Sequence, residues 1–168
     1  KIIFTGAASA LITPFNEEGV NFEALGNIID YQLDNGIDAL VICGTTGEAS
    51  TLNDKDHIGA IAYAVERVAG RIPVIAGTGS NDTVHAVKLS NDAEKMGVDG
   101  LLMVTPYYNK ASQDGLIESY TYIEERVSTP IILYNVPSRT GVTIKPETYA
   151  ELSKLSLING AKEASGDI

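Results

Sequence analysis

Residues 39–48 read Ala-Leu-Val-Ile-Cys-Gly-Thr-Thr-Gly-Glu, an apolar run that ends in a turn rich in glycine and threonine. An unbroken apolar run of this length is typical of a parallel strand that is covered on both faces. Glycine lets the backbone turn sharply after such a strand and lets a ligand approach it closely. The stretch therefore predicts a buried strand whose carboxyl end carries Gly44, Thr45, Thr46 and Gly47.

The same pattern recurs along the chain. Strands are predicted at residues 8–13, 39–43, 73–77, 100–105, 130–134 and 157–162. The segments between them have apolar residues at helical spacing and capping residues at their ends. They predict helices over residues 22–35, from a cap at Asp54, from Asn81 to Gly97, from Ser112 to about residue 127, and over 145–155. Regular alternation of strand and helix indicates right-handed parallel β/α units.

Two α/β folds are built from such units, the open doubly wound sheet and the closed (β/α)8 barrel, or TIM barrel. Six strands in 168 residues give 168/6 = 28 residues per unit. Eight such units would need 8 × 28 = 224 residues, close to the roughly 250 typical of the barrel. A doubly wound sheet that binds dinucleotides carries glycines after its first strand, whereas Pro14, Phe15 and Asn16 follow it here. We therefore favour the barrel.

On this interpretation residues 1–168 form a single partial (β/α)8 barrel domain of about six β/α units, without strands seven and eight and without the C-terminal helices. Six strands leave the sheet with exposed edges, which tend to pair with other chains. We therefore expect the segment alone to be inactive or unstable and the natural protein to be longer.

The composition narrows the classes of partner. The chain has 12 Lys and Arg residues against 22 Asp and Glu residues, a formal charge of −10. Nucleic acid is bound by clusters of basic residues, and no basic stripe occurs here. No apolar run approaches the roughly 18 residues of a membrane helix. The single cysteine, Cys43, cannot form an internal disulfide, which fits a reducing compartment. A small-molecule partner and a cytoplasmic location are therefore favoured.

Lys162 stands at the end of the last predicted strand. Because side chains alternate along a strand, a barrel would turn Lys162 inward and Glu163 toward the helices. A water-poor cavity favours the neutral form of an amine, which is a nucleophile able to form a Schiff base with a ketone. The alternative is a lysine that caps the strand end and pairs with Glu163. The residue alone leaves both interpretations open.

Other strand ends carry polar side chains with two interpretations each. The amides and hydroxyls of residues 44–47 suit a small carboxylate, or they form an ordinary turn. Tyr134 is placed to transfer a proton to or from a substrate oxygen, or to pack with one hydrogen bond. Arg139 is able to pair with a substrate carboxylate, or it lies exposed in a loop. Tyr107 and Tyr108 after a proline are candidates for an interface patch.

Taken together, the strand-end motifs resemble the dihydrodipicolinate synthase (4-hydroxy-tetrahydrodipicolinate synthase) family. The motifs occur in the family's order and spacing over the whole chain: Gly44-Thr-Thr-Gly-Glu48, Gly77-Thr-Gly79, Thr105-Pro-Tyr-Tyr-Asn109, Tyr134-Asn-Val-Pro-Ser-Arg-Thr-Gly141 and Lys162-Glu163. The resemblance implies a (β/α)8 barrel, commonly a homotetramer formed as a dimer of dimers. It implies a lyase that condenses pyruvate with aspartate 4-semialdehyde in lysine and diaminopimelate biosynthesis, with no metal or organic cofactor.

The resemblance also implies catalytic roles. Lys162 would form the Schiff base with pyruvate. Tyr134 would donate and accept protons. Thr45 and Tyr108 would complete a proton relay, with Tyr108 reaching across from a partner subunit.

Binding roles follow from the same resemblance. Thr46 would hold the pyruvate carboxylate, helped by the turn amides around Gly44 and Gly47. Arg139 would bind the carboxylate of aspartate 4-semialdehyde. The enamine of pyruvate would then attack the aldehyde of this second substrate.

Lysine-sensitive members of the family bind lysine at the tight-dimer interface, at positions that match Ser50, His57, Asn81 and Tyr107. The acidic residue that holds the lysine ammonium there is replaced by His85, and Asp54 stands where some members have histidine. Because an imidazole is a poor partner for an ammonium group, we expect weak or absent inhibition by lysine.

Two alternatives remain. N-acetylneuraminate lyase and related pyruvate-dependent sugar-acid aldolases share the barrel, the Schiff-base lysine and the tyrosine of strand five, but the pair Thr45-Thr46 together with Tyr108 and Arg139 favours the synthase. The second alternative is an inactive barrel fragment or a ligand-binding regulator.

Overall fold

The computed structural model describes residues 2–167 of the chain. Six strands form one parallel sheet: β1 (Ala8–Ala10), β2 (Ala39–Ile42), β3 (Val74–Gly77), β4 (Gly100–Val104), β5 (Ile131–Asn135) and β6 (Ile158–Glu163). Each strand pairs with the next strand along the chain. A doubly wound sheet reverses its strand order at a switch point. The sequential order has no reversal, so it confirms the predicted barrel type with about six β/α units.

Helices follow the strands of the sheet and cover its outer face. Their bounds are α1 (Phe22–Asp34), α2 (Asp54–Val68), α3 (Thr83–Met96), α4 (Gln113–Glu124), α5 (Pro137–Thr140) and α6 (Pro146–Leu152). The side chains of Asn21 and Ser112 accept hydrogen bonds from the first turns of α1 and α4, as their positions predict. Among residues 2–167, every helix is too short or too polar to span a lipid bilayer.

Two predicted helix starts are wrong by one residue. Asn53 caps α2 in place of Asp54, because its side chain accepts from the Asp56 amide while Asp54 already has helical backbone. Asp82 caps α3 in place of Asn81, since its carboxylate accepts from two amides of the first turn. Adjacent Asn and Asp residues are nearly equal as caps, so the pattern alone does not choose between neighbours.

The strand and helix pattern misses some short elements. β1 ends at Ala10 and not at residue 13, and the chain then forms a hairpin of Phe15–Asn16 and Gly19–Val20. Pro14 lies between β1 and this hairpin, and it has no amide hydrogen to donate to a neighbouring strand. The hairpin strands and α5 are too short to show a hydrophobic period, which is why the sequence pattern does not predict them.

The sheet curls, and its inner face encloses apolar side chains. Ala10 of β1 and Lys162 of β6 line the same cavity as Ile75 and Leu102 from the middle of the sheet. The two outermost strands therefore face each other across this cavity. In the part of the chain that the structure describes, β1 and β6 are not hydrogen-bonded to each other, so each leaves an open edge.

Candidate active site

Lys162 and Tyr134 lie side by side near the carboxyl ends of β6 and β5. They are direct partners in the strand register, and the Lys162 Nζ atom lies 4.5 Å from the centroid of the Tyr134 ring. Paired residues of adjacent parallel strands point to the same face of a sheet. Tyr134 is 7% exposed and belongs to the inner apolar cluster. Lys162 is half-buried and faces the inside of the curled sheet, the direction predicted from the sequence.

Glu163 points to the opposite face, toward the helices. Its carboxylate accepts hydrogen bonds from Asn135 Nδ2 at 2.9 and 3.0 Å and from the hydroxyl of Tyr149 in α6 at 3.0 Å. Within residues 2–167, no ion pair shorter than 4.0 Å includes Lys162. The alternative interpretation, in which Lys162 pairs with Glu163 at the strand end, is therefore wrong.

A cavity of about 280 Å³ opens at the carboxyl ends of the strands. Its lining includes Gly44, Thr45, Tyr107, Tyr134 and Arg139, which come from the three β/α units that begin with β2, β4 and β5. The second cavity, of about 440 Å³, is the one that Lys162 lines. Tyr134 links the two because it lines the first cavity and its ring contacts Lys162. The structure thus assembles residues far apart in sequence around the side chain of Tyr134, and the Lys162 amine lies beside the ring of that tyrosine.

Not every predicted site residue reaches this cavity. Thr46 and Gly47 belong to the same turn as Thr45, and Thr46 is exposed whereas Gly47 is buried. The Gly47 carbonyl accepts a hydrogen bond from Thr13 Oγ1 at 2.7 Å. Tyr108 is 88% exposed and has a left-handed φ of 72°. Among the described residues, the Tyr134 hydroxyl makes no hydrogen bond to Thr45 or Tyr108, so this chain by itself does not form the proton relay that the resemblance implies.

Gly77 and Gly79 allow close contact between strand ends. A Cβ atom on Gly77 would lie 2.1 Å from the Cys43 carbonyl oxygen, and one on Gly79 would lie 2.5 Å from the Val104 amide nitrogen. Real Cβ atoms do not approach backbone so closely, so only glycine fits at these two positions. The motif that contributes to the family resemblance therefore has a packing role, because it brings the carboxyl ends of β2, β3 and β4 together.

His57 is a buried structural residue that also lines the 280 Å³ cavity. Its Nε2–H donates to the Gly77 carbonyl at 2.7 Å. Burial lowers the pKa of His57, and the hydrogen bond to Gly77 opposes this only in part. The nearby Cys43 thiol is inert, because burial raises its pKa to about 12.

The lowered pKa of His57 predicts loss of stability in weak acid. As the pH falls through about 6.5, the histidine of the unfolded state takes up a proton before the folded one does. The free energy of unfolding therefore falls until the folded-state pKa is passed. We expect urea denaturation midpoints to be lower at pH 5 than at pH 7, with a smaller difference in His57→Gln. A difference that is unchanged in His57→Gln but reduced in the control His85→Gln would contradict this assignment.

A hydrogen-bonded cluster between α2 and α3 consists of Asp54, His85 and Lys88. Asp54 accepts from His85 Nε2 at 2.8 Å and from Lys88 Nζ at 2.7 Å. The hydrogen bonds from Lys88 and His85 lower the pKa of Asp54 to about 2. His85 and Ser50 line the 280 Å³ cavity, whereas Asn81 does not and instead bonds to Asn109.

Sequence reasoning missed the residues behind the site. Asn135 is 1% exposed, and its side chain bonds to Glu163 and to the amide of Ile144. Tyr149 in α6 reaches the same carboxylate. A usable signal for Asn135 was present, since it directly follows Tyr134 inside a matched motif. Tyr149 gave no signal because it reads as an ordinary residue of an amphipathic helix.

The sequential parallel sheet and the side chains at its strand ends define the class of protein: a (β/α)8-type barrel with its site at the carboxyl ends of the strands. Within residues 2–167, no group of three or more His, Cys, Asp or Glu side chains is placed to hold a metal ion. The family described as the dihydrodipicolinate synthetase family matches residues 3–168. The chain belongs to this family, which confirms the resemblance inferred from the motifs.

Close relatives and solved structures agree with this assignment. The 4-hydroxy-tetrahydrodipicolinate synthase of Thermoanaerobacter sp. strain X514 is 58% identical over 99% of this chain and 56% of the relative. The crystal structure of dihydrodipicolinate synthase from Aquifex aeolicus has a TM-score of 0.95 and 50% identity over 98% of this chain and 56% of that one. The structure of the chloride-inhibited enzyme from Acinetobacter baumannii, solved with pyruvate, has a TM-score of 0.95. It is 42% identical, and the match covers 97% of this chain and 56% of that one. The chain thus spans little more than half the length of these relatives.

Proposed function

We propose that this chain supplies the Schiff-base site of a 4-hydroxy-tetrahydrodipicolinate synthase, which condenses pyruvate with aspartate 4-semialdehyde in lysine and diaminopimelate biosynthesis. The observation that carries the proposal is the Lys162 amine 4.5 Å from the Tyr134 ring on the inner face of the sheet. Membership of the family and the pyruvate bound to the Acinetobacter baumannii enzyme support it.

The proposed reaction begins with the neutral Lys162 amine. It attacks the ketone carbon of pyruvate and water leaves, which forms an iminium ion. Loss of a methyl proton gives an enamine, whose carbon attacks the aldehyde of the second substrate. The amine of that substrate then attacks the iminium carbon, closes the ring and releases the free Lys162 amine. Tyr134 transfers the protons, a role that usually contributes about 10² to 10⁴ in rate.

The remaining side chains bind the substrate carboxylates or extend the proton relay. Thr46 and the turn amides at Gly44 and Gly47 hold the pyruvate carboxylate. Arg139 binds the carboxylate of aspartate 4-semialdehyde, and its position in the lining of the same cavity as Tyr134 supports this. Thr45 and Tyr108 extend the proton relay, and the 88% exposure of Tyr108 suits a side chain that acts in a neighbouring subunit. The active form is accordingly a homo-oligomer, a dimer of dimers.

Three further assignments belong to the proposal. No metal or organic cofactor takes part, because the covalent iminium itself is the electron sink. No nucleic acid or membrane partner is involved. The protein works in the cytoplasm, which is supported by a single buried cysteine with no disulfide partner among the described residues.

The chain would be a single partial barrel domain that needs further strands to close. The open edges of β1 and β6, which face each other across the 440 Å³ cavity, support this. A completed chain for testing is this chain followed by the part of the Thermoanaerobacter relative that lies beyond the match. We expect the completed chain to be active and the 168-residue chain alone to be inactive or unstable. A monomeric, active 168-residue chain would disprove the partial-domain assignment.

The completed chain also tests the reaction. We expect it to condense pyruvate with aspartate 4-semialdehyde in a coupled assay and to leave N-acetylneuraminate uncleaved. Cleavage of N-acetylneuraminate without turnover of the semialdehyde would favour the sugar-acid aldolase alternative. Absence of both activities in a folded completed chain would favour the regulator alternative.

Lysine is expected to inhibit weakly or not at all. Asp54 already binds Lys88 and His85, so an incoming ammonium would have to displace Lys88 from it. Titration of the completed chain with lysine should leave the condensation rate almost unchanged, whereas His85→Glu should increase sensitivity by adding a carboxylate. Tight inhibition of the unaltered protein would contradict this expectation.

A further inference from the structure

The register between β5 and β6 changes by one residue just before the site. Ile131 pairs with Ile158, but Ile132 pairs with Gly160. Asn159 is therefore an extra residue on β6, and this irregularity is a β-bulge. Beyond it, Tyr134 pairs with Lys162 and Asn135 pairs with Glu163.

The bulge decides which way Lys162 points. If the pairing of Ile131 with Ile158 continued without it, Lys162 would stand opposite Asn135. Residues that pair across parallel strands share a face, and the Asn135 side chain bonds to groups on the helix side. A slip of one residue would thus turn the amine away from Tyr134 and out of the inner cavity.

A set of hydrogen bonds holds the bulged register, and we call it the register clamp. Asn135 Nδ2 donates to both carboxylate oxygens of Glu163, while Asn135 Oδ1 accepts from the Ile144 amide at 3.1 Å. Glu163 also accepts from the Tyr149 hydroxyl and, at 2.8 Å, from the Ser165 amide. The exposed Glu163 carboxylate loses some contact with water, which raises its pKa, but the hydrogen bonds from Asn135, Ser165 and Tyr149 outweigh this effect and the pKa lies below its ordinary value. The clamp therefore contains an ionised acceptor, which strengthens each bond.

We propose that Asn135 and Glu163 are positioning residues, which fix β6 in the bulged register and thereby direct the Lys162 amine to the substrate. The role rests on the proposed Schiff-base function. Neither side chain faces the substrate cavity, since both point toward the helix layer. Their effect reaches the reaction through the backbone of the adjacent residues, Tyr134 and Lys162.

The test exchanges donor and acceptor across the clamp in the completed chain. Asn135→Asp places a second carboxylate next to that of Glu163 and should break the register clamp. In the double variant Asn135→Asp with Glu163→Gln, the amide of residue 163 donates to the carboxylate of residue 135, so a donor again faces an acceptor. Asn91→Asp, on α3 and remote from β6, is the matched control. We measure the rate at which borohydride traps pyruvate on Lys162, at temperatures where every variant is folded.

Asn135→Asp should lower the limiting trapping rate about 10- to 100-fold, the range for a reacting group displaced by about an ångström. The pyruvate concentration for half-maximal rate should change little, because the carboxylate site lies on the turn after β2. The double variant should recover most of the rate. The proposal would be overturned if Asn135→Asp trapped pyruvate as fast as the unaltered protein, or if the double variant did not recover the trapping rate.

Hydrogen exchange at the Ala164 amide reports the register without any chemistry, since this amide donates to the Asn135 carbonyl at 2.9 Å. Exchange should be faster in Asn135→Asp and return to normal in the double variant. If the unaltered protein traps no pyruvate but exchange follows this pattern, the Schiff-base function fails and the register clamp stands. If trapping works and exchange is the same in all variants, the clamp fails alone.

Discussion

Lys162→Ala in the completed chain is expected to abolish the borohydride-trapped pyruvate adduct and to lower kcat/KM for condensation by about 10⁴-fold or more. The physical reason is that, among residues 2–167, no other lysine lines either of the two cavities. Within residues 2–167, the lysines found in ion pairs are the exposed Lys88, Lys95 and Lys154, which are held by carboxylates. Lys162 instead faces the inner cavity beside Tyr134.

Two companion variants sharpen this prediction. Lys162→Arg keeps a long basic side chain but has no nucleophilic amine, so it should be as inactive as Lys162→Ala. Lys154→Ala removes a lysine from the same region and should retain the activity, since its amine pairs with Glu151 on the surface. Mass spectrometry of the trapped protein reads the outcome directly. A pyruvate adduct that persists in Lys162→Ala would assign the Schiff base to a different residue.

Gly77→Ala is expected to lower the free energy of unfolding by about 3 kcal/mol, at the upper end for overpacking. The added Cβ would lie 2.1 Å from the Cys43 carbonyl oxygen, which is backbone and has no alternative rotamer. Relief requires β2 and β3 to separate at their carboxyl ends. The turn that carries Thr45 and Thr46 begins there, so activity should fall together with stability.

Gly59→Ala is the matched control for this substitution. Gly59 lies within α2, and its added Cβ would contact only the Phe22 ring at 3.5 Å. Alanine in a helix is favoured over glycine by about 0.5–1 kcal/mol, so this variant should be more stable than the unaltered protein. Urea denaturation of both variants measures the two changes. Equal midpoints for Gly77→Ala and the unaltered protein would show that the strand ends separate without cost.

Much of the fold follows from local patterns. Apolar runs of strand length, such as residues 100–104, alternate with segments that have helical period and clear caps, such as Ser112. Each of these patterns spans only a few residues, so it can be recognised in the sequence alone. The two misplaced caps, Asp54 and Asn81, show the limit of local patterns, since the neighbouring Asn53 and Asp82 accept the capping hydrogen bonds and adjacent Asn and Asp residues are nearly equal as caps.

The candidate site was also predictable from the sequence only in part. Its polar residues were visible because they follow predicted strands, and parallel strands end at one edge of a sheet. The hydrogen bond between His57 and Gly77 and the one between His85 and Asp54 were not visible. Both depend on how separate β/α units pack against each other.

The amino-acid sequence by itself determined the order of strands and helices, the glycine turns and the identity of the residues at the strand ends, because each is encoded by neighbours within about one helical turn or one strand. The sequence predicted that Lys162 faces inward but left open an ion pair with Glu163 at the strand end, and only the tertiary structure decided between these two interpretations. The inward orientation depends on one extra residue, Asn159, and on the clamp between Asn135 and Glu163. Strand register is set by contacts between residues 28 positions apart in the chain, and a shift of one position reverses every side chain.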